Sequence, residues 1–319
     1  MPPPLRLKAL TCLLLSLLLA GPAVRAQPPP ELLPPRPTTA GPIITDTAVP
    51  VPEGSFAVQP YWSLGFTRGK FTANWRRVGA GGDYMSLEIP VTFTYGLYRN
   101  LEVNLTAPYV YNWASRVDVP FRGARAADFG GLGDLVLTAK YQLLEETPQR
   151  PVVTALATLN LPTGHQSPLN PGNLGTDSLG GGSLAVTLGF NLSKWINPVN
   201  LYANVWYGMP TSFQKHGGDR LTGPILRSIH GQDRVTVNLA AEWVLTPRWA
   251  ILLEFYSLWE VGPLFARQTE SPSALAGLLP GLEYIISPQC SLALGVALDL
   301  AGKNTDCRCT PTVTVVYNF

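Results

Sequence analysis

The side chains that could do chemistry are few: three histidines, three cysteines after residue 26, and scattered carboxylates. His165, His216 and His230 share no metal-ligand spacing, and no HExxH, phosphate-binding glycine loop or paired-carboxylate motif is present. Ser228 and Asp233 lie near His230, and Ser167 near His165, the residue types of a hydrolytic nucleophile and its base. Such neighbours are common in polar loops, so solvated histidines are expected and no catalytic residue, metal or cofactor is assigned. Cys290 opens one extended segment, while Cys307 and Cys309 follow its far end, at about 3.3 Å of rise per residue. Cys307-Arg308-Cys309 could close a strained disulfide, stay reduced or hold a soft metal; an oxidising compartment favours the disulfide.

The remaining charges follow a rule. Glu88, Glu102, Asp134, Lys140, Arg234, Glu242, Glu254, Glu283 and Asp299 all fall on the polar parity of segments that alternate every second residue. Alternation separates two faces only in a strand; a helix would scatter them. In 101–113, Leu101, Val103, Leu105, Ala107, Tyr109, Tyr111 and Trp113 share one face, and Glu102, Asn104, Thr106, Pro108, Val110 and Asn112 the other. The same pattern predicts strands at 55–66, 86–98, 101–113, 132–145, 152–161, 183–192, 199–208, 234–245, 249–259, 277–286, 290–299 and 312–319. Short turns at Arg99-Asn100, 146–151, 193–198, 246–248 and 288–289 alternate with long loops at 67–85, 114–131, 162–182, 209–233, 260–276 and 300–311. Strands of about ten residues with short turns on one side and long loops on the other mark outer-membrane barrels.

The fold class expected is therefore all-β, an antiparallel transmembrane outer-membrane barrel of about 12 strands, rather than a soluble sandwich. Parity requires three-residue loops at Tyr98-Arg99-Asn100 and Thr246-Pro247-Arg248. Tyr111, Trp113, Tyr207 and Trp259 would mark one lipid interface, and Tyr95, Tyr141, Trp243, Trp249, Tyr284 and Tyr317 the other. The nine charges would line the lumen, seven acids against two bases, with Lys140 facing Glu102. They could plug a narrow barrel with salt bridges or line a polar passage that weakly favours cations.

Both ends of the chain carry signals. Arg6 and Lys8 precede an apolar run too short to span a bilayer, and Val24-Arg25-Ala26 supplies small residues at the −3 and −1 places, so residues 1–26 read as a signal peptide. Nine prolines in 27–53 predict an extended periplasmic tether, leaving 54–319 for the barrel. At the other end Val313, Val315, Tyr317 and Phe319 alternate with Thr314, Val316 and Asn318. A terminal aromatic so placed is similar to the signal read by barrel-assembly machinery, which makes Val315, Tyr317 and Phe319 its contact. The charged fraction of 14% and net charge of +2 argue against disorder and nucleic-acid binding.

Several phrases resemble the outer-membrane transporter family named for a meta-pathway of phenol degradation. They are Tyr95-Gly96-Leu97-Tyr98-Arg99-Asn100-Leu101-Glu102-Val103 with Ala107-Pro108-Tyr109, then Gly131-Leu132-Gly133-Asp134-Leu135, Leu161-Pro162-Thr163-Gly164 and Leu179-Gly180-Gly181-Gly182. The resemblance implies a barrel in contact with outer-membrane lipids that moves a small-molecule solute, often aromatic or hydrophobic. Passive passage is the function expected. A non-transporting surface barrel with a plugged lumen is the alternative, and a hydrolase using His165 or His230 the third. Loops 162–182 and 209–233 would gate the external mouth, with Glu88, Asp134, Glu254 and Asp299 along the path.

Overall fold

The computed structural model describes residues 39–119, 123–166, 168–217, 225–264 and 271–319. Twelve antiparallel strands form a closed barrel: β1 (Phe56–Phe71), β2 (Asp83–Tyr98), β3 (Leu101–Val119), β4 (Gly123–Leu132 continuing as Leu135–Leu144), β5 (Val152–Leu161), β6 (Ala185–Ile196), β7 (Val199–Pro210), β8 (Asp233–Thr246), β9 (Trp249–Val261), β10 (Ala274–Ser287), β11 (Cys290–Lys303) and β12 (Thr305–Asn318). Each strand pairs with the next, and β12 closes on β1 from Ala57 opposite Asn318 to Phe71 opposite Thr305. A separate hairpin, Ser212–Gly217 with Ile225–His230, stands between β7 and β8.

The wall is apolar outside and polar inside. Leu105, Leu137, Phe190, Leu239, Leu253, Leu294 and Val313 are exposed, whereas Thr154, Asn191, Asn204, Glu242, Glu254 and Glu283 have 0% accessible surface. An apolar band of this extent is stable only in lipid. Closure pairs the strands on both sides around the barrel, while the outer stretch Gly123–Leu132 pairs with β3 on one side. Two aromatic pairs sit at strand ends, Trp249 with Tyr284 at 4.6 Å and Tyr317 with Phe319 at 4.7 Å, and a third, Tyr111 with Trp113 at 4.4 Å, lies within β3.

Parity at the short turns is kept by bulges. The turns at Arg99-Asn100 and Pro247-Arg248 are two residues long, not three. Register shifts between Gly96 and Tyr98, Gln142 and Leu144, Val244 and Thr246, and Ile285 and Ser287 each insert one residue. Those residues, Leu97, Leu143, Leu245 and Ile286, are all apolar and exposed. An inserted residue resets the alternation just as a longer loop would.

Several strands outrun their expected ends. The loop expected at 300–311 is absent: Asn304, with φ of +50°, is the single residue between β11 and β12, and Cys307 and Cys309 lie on β12 as free thiols. Likewise most of 114–131 is strand. Apolar alternation stops where lipid stops, but backbone pairing does not, so the outer reaches of the strands carry no hydrophobic signature. β4 is interrupted at Gly133-Asp134, where the Thr163 hydroxyl accepts from the Leu135 N–H and donates to the Gly133 carbonyl, both at 2.9 Å. The remaining correction concerns the tether: its described part, 39–53, lies inside the barrel rather than below it. Ile43 packs with Leu252, Leu279 and Ala293, the buried apolar cluster of the lumen.

Candidate functional site

The lumen is occupied from both ends. At the short-turn end, segment 39–53 carries backbone N–H groups into the barrel, and inward side chains of the wall accept them. Glu254 on β9 accepts three, from Ile43 at 2.6 Å, Ile44 at 3.0 Å and Thr45 at 2.7 Å. Glu283 on β10 accepts from Ala40 at 2.6 Å, Ser193 on β6 from Ala48 at 2.9 Å, and Glu102 on β3 from Val51 at 2.8 Å. Hydrogen bonds to an ionised acceptor are about twice as strong as neutral ones. The Asn204 amide closes a reciprocal pair with the Asp46 backbone at 2.8 and 2.9 Å.

One ion triad ties the segment to the wall. β3 and β4 place Glu102 opposite Lys140, and Lys140 Nζ lies 2.8 Å from Glu102 and 3.0 Å from Asp46. Asn191 donates to the other Asp46 oxygen at 2.8 Å. The Lys140 and Glu102 side chains are 5% and 4% exposed, so each requires the other. At the rim the segment crosses β2 at Gly96, where a Cβ would collide with the Val51 and Pro52 carbonyls; the Gly54 N–H donates to the Gly96 carbonyl at 2.8 Å and the Gly96 N–H to the Ser55 carbonyl at 3.0 Å. Only glycine permits that approach.

At the long-loop end, loop 162–184 folds onto β3 and β4. Asp134, buried at the β4 interruption, accepts from the Gly164 N–H at 2.9 Å and the Gly181 N–H at 2.7 Å. A Cβ at Gly180 would strike the same carboxylate. Asn112 donates to the Thr176 carbonyl at 2.9 Å, and Leu179 is buried beneath the loop. Thus Gly133-Asp134, Pro162-Thr163-Gly164 and Gly180-Gly181, far apart in the chain, meet at one point.

Between the two ends run three adjoining cavities. One of about 930 Å³ opens under loop 162–184 and is lined by Lys70, Glu88, Asn112, Arg234 and Arg308 among others. It shares Gly65, Ser86, Glu88 and Arg308 with a middle cavity of about 460 Å³. The middle one shares Ile43, Ile44, Tyr61, Thr92 and Thr106 with a third of about 820 Å³ beside the segment. Paired hydroxyls run along this wall: Ser63 with Thr312 at 3.0 Å and Thr92 with Thr106 at 2.8 Å.

The nine expected residues divide by partner. Glu102, Lys140, Glu254 and Glu283 hold the segment; Asp134 holds the loop; Glu242 accepts from the Tyr202 hydroxyl at 2.6 Å. Asp299 accepts from the Tyr256 hydroxyl at 2.8 Å and the Arg308 N–H at 2.7 Å. Glu88 is exposed to the upper two cavities, and Arg234 lies 3.7 Å from Glu260 near the mouth. Of the hydrolase candidates, His165 Nδ1 sits 2.8 Å from the Asp177 carbonyl and Asp233 accepts from Tyr207 at 2.7 Å. Ser167 lies outside the described residues, and at Ser228, His216 and His230 the described structure is backbone alone.

Reading the inward charges alone left out Asp46, Asn191, Asn204 and Ser193; Leu252 and Leu279 share the inward parity of Glu254 and Glu283 and are apolar yet fully buried. A signal for the segment was present: Ile43-Ile44-Thr45-Asp46-Thr47-Ala48-Val49 is a proline-free, β-branched run inside the proline-rich stretch.

A family model described as "Putative MetA-pathway of phenol degradation" matches residues 53–306. The chain belongs to this family. Among solved structures, an outer-membrane channel from Pseudomonas putida F1 superposes with a TM-score of 0.68 at 15% identity, covering 88% of this chain and 100% of that one. The translocator domain of the autotransporter NalP from Neisseria meningitidis gives 0.47 at 11% identity, covering 83% and 88%. The toluene transporter TbuX from Ralstonia pickettii gives 0.41 at 11% identity, covering 84% and 90%. No curated protein matches the sequence. The first superposition agrees with the fold already described, a closed all-β barrel of the outer-membrane type.

Proposed function

We propose that this family member is a passive outer-membrane passage for small neutral solutes, those with an apolar body and a hydroxyl or similar polar handle foremost. The observation that carries this reading is the row of three adjoining cavities along the β1, β2, β3 and β12 wall. Its middle is lined by the apolar bodies of Ile43, Ile44, Tyr61 and Tyr256 together with the hydroxyls of Ser63, Thr92 and Thr106. Most wall carboxylates are engaged with backbone N–H groups or Lys140, so they do not offer themselves to ions in transit. Glu88, Asp299 and Arg308 line the middle cavity, and Lys70 and Arg234 add charges to the one under the loop. The family description and the Pseudomonas putida channel support this direction.

Export would follow cleavage after Ala26, with 27–38 leading to the lumenal segment. Val315, Tyr317 and Phe319 would meet the assembly machinery, Tyr317 and Phe319 being exposed on the outer surface of the last strand. No enzymatic role is proposed.

The rival reading, a barrel that passes nothing, draws support from the same segment and loop that fill the lumen. Swelling of vesicles holding the refolded protein separates the two. Neutral solutes of graded size should enter with a sharp size limit, while salt gradients drive little current. A folded barrel admitting none of them would overturn the passage reading.

A further inference from the structure

Gly65 on β1 is a glycine that the packing of the wall does not require. Glycine weakens a strand interior and is kept there where a neighbour or a ligand approaches closely. At Gly277 a Cβ would lie 2.3 Å from the Tyr256 side chain, and at Gly295 2.6 Å from that of Leu279, so packing demands both. At Gly65 the nearest atom to a Cβ is the Thr310 hydroxyl at 3.5 Å, an ordinary contact, and φ is not positive. The backbone would accept a side chain there, and that side chain would enter the lumen. Gly65 lines both the cavity under loop 162–184 and the middle one.

Ser86, Glu88 and Arg308 also line both cavities, and the register gathers them around Gly65. Ser86 on β2 lies directly opposite it. Glu88 is opposite Ser63, two residues toward the short turns, and Arg308 on β12 is opposite Thr67, two residues toward the long loops. Arg308 Cδ is 4.0 Å from the place a Cβ would take. Among the described residues Glu88 has no hydrogen bond or ion pair, and the half-exposed Arg308 guanidinium has one contact, 3.3 Å to Asp306. The other charge of the middle cavity, Asp299, is engaged by the Tyr256 hydroxyl and the Arg308 N–H. Lys70 and Arg234 line the cavity under the loop but not the middle one.

We propose that Gly65, Glu88 and Arg308 form the selective neck of the passage, which admits small uncharged hydroxylated solutes and turns back ions of either sign. The inference rests on the passage reading above and assigns its discrimination to these three positions. The missing side chain at Gly65 leaves the space through which a solute moves from one cavity to the next. A carboxylate only accepts hydrogen bonds and a guanidinium only donates them. A hydroxyl does both, so it can donate to Glu88 and accept from Arg308 in the same transit. An anion meets the Glu88 charge and a cation the Arg308 charge, each unneutralised by a close partner on the wall.

Erythritol, lactate and choline test the neck, because all three are small and hydroxylated and, at neutral pH, differ in charge. Their efflux is measured from vesicles holding the refolded full-length protein. Wild type should release erythritol faster than either ion. G65L should slow erythritol release about tenfold or more by filling the space. E88Q should speed lactate but not choline, and R308Q choline but not lactate, each by roughly tenfold, since a unit charge a few ångströms away is removed. The two charge variants add no bulk, so they test the neck even if G65L does not fold. A wild-type barrel that releases none of the three would overturn the passage reading and this proposal with it. Wild type releasing erythritol while folded G65L releases it equally fast, or ion release unchanged in both charge variants, would overturn the neck alone.

Discussion

The two ends of the lumen are closed by the same chemistry in different amounts. At both, a wall carboxylate accepts N–H groups from a chain that folds inward. The segment 39–53 is held by residues from β3, β4, β5, β6, β7, β9 and β10, including Thr154, which donates to the Ala48 carbonyl. Loop 162–184 hangs on Asp134 at one interrupted strand, with help from Asn112. The difference is one of redundancy. A segment fixed around most of the circumference behaves as part of the core, whereas the loop is tied to β3 and β4 through fewer contacts, those of Asp134, Asn112 and the Thr163 hydroxyl.

The comparison can be broken from either side. Glu254→Ala removes three charge-assisted acceptor contacts at about 1.5 kcal/mol or more each, so about 5 kcal/mol of local stabilisation. Hydrogen exchange at Ile43, Ile44 and Thr45 should accelerate by roughly three orders of magnitude. If it changes no more than at neighbouring sites, the segment is held by packing instead. Lys140→Met leaves Glu102 and Asp46 facing each other without a cation and should cost about 4 kcal/mol in urea unfolding of the refolded barrel. Adding Glu102→Gln should recover part of that loss; a double variant as unstable as the sum of the two single ones would remove the triad from the account. The smallest effect belongs to the loop end. Asp134→Ala should cost about 3 kcal/mol, speeding exchange over 162–184 by roughly a hundredfold while leaving 39–53 unchanged. Acceleration at both ends would mean that they are coupled and the contrast is false.

Much of the architecture was legible because lipid imposes a simple rule. Twelve strands, their antiparallel order and the inward set of Glu102, Asp134, Lys140, Glu242, Glu254 and Glu283 follow from alternation, since a basic residue facing mid-bilayer lipid costs about 2–4 kcal/mol and an acidic one a smaller but still unfavourable amount. Strand ends were less legible. The 300–311 stretch reads as a loop by polarity, yet pairing continues to Asn304, because outside the lipid either face of a strand may be polar.

What lay beyond the sequence is what fills the barrel. Composition marked 27–53 as extended chain, and 39–53 does lack regular structure, but its destination depended on acceptors scattered from Glu102 to Glu283. No local pattern records that Glu254, 209 residues from Thr45, awaits its N–H. The same holds for Asp134 and Gly181. Alternation determines which face a side chain takes, because that depends only on neighbours along the strand. Which partner it meets there depends on closure, which brings opposite walls and both ends of the chain into one enclosed space.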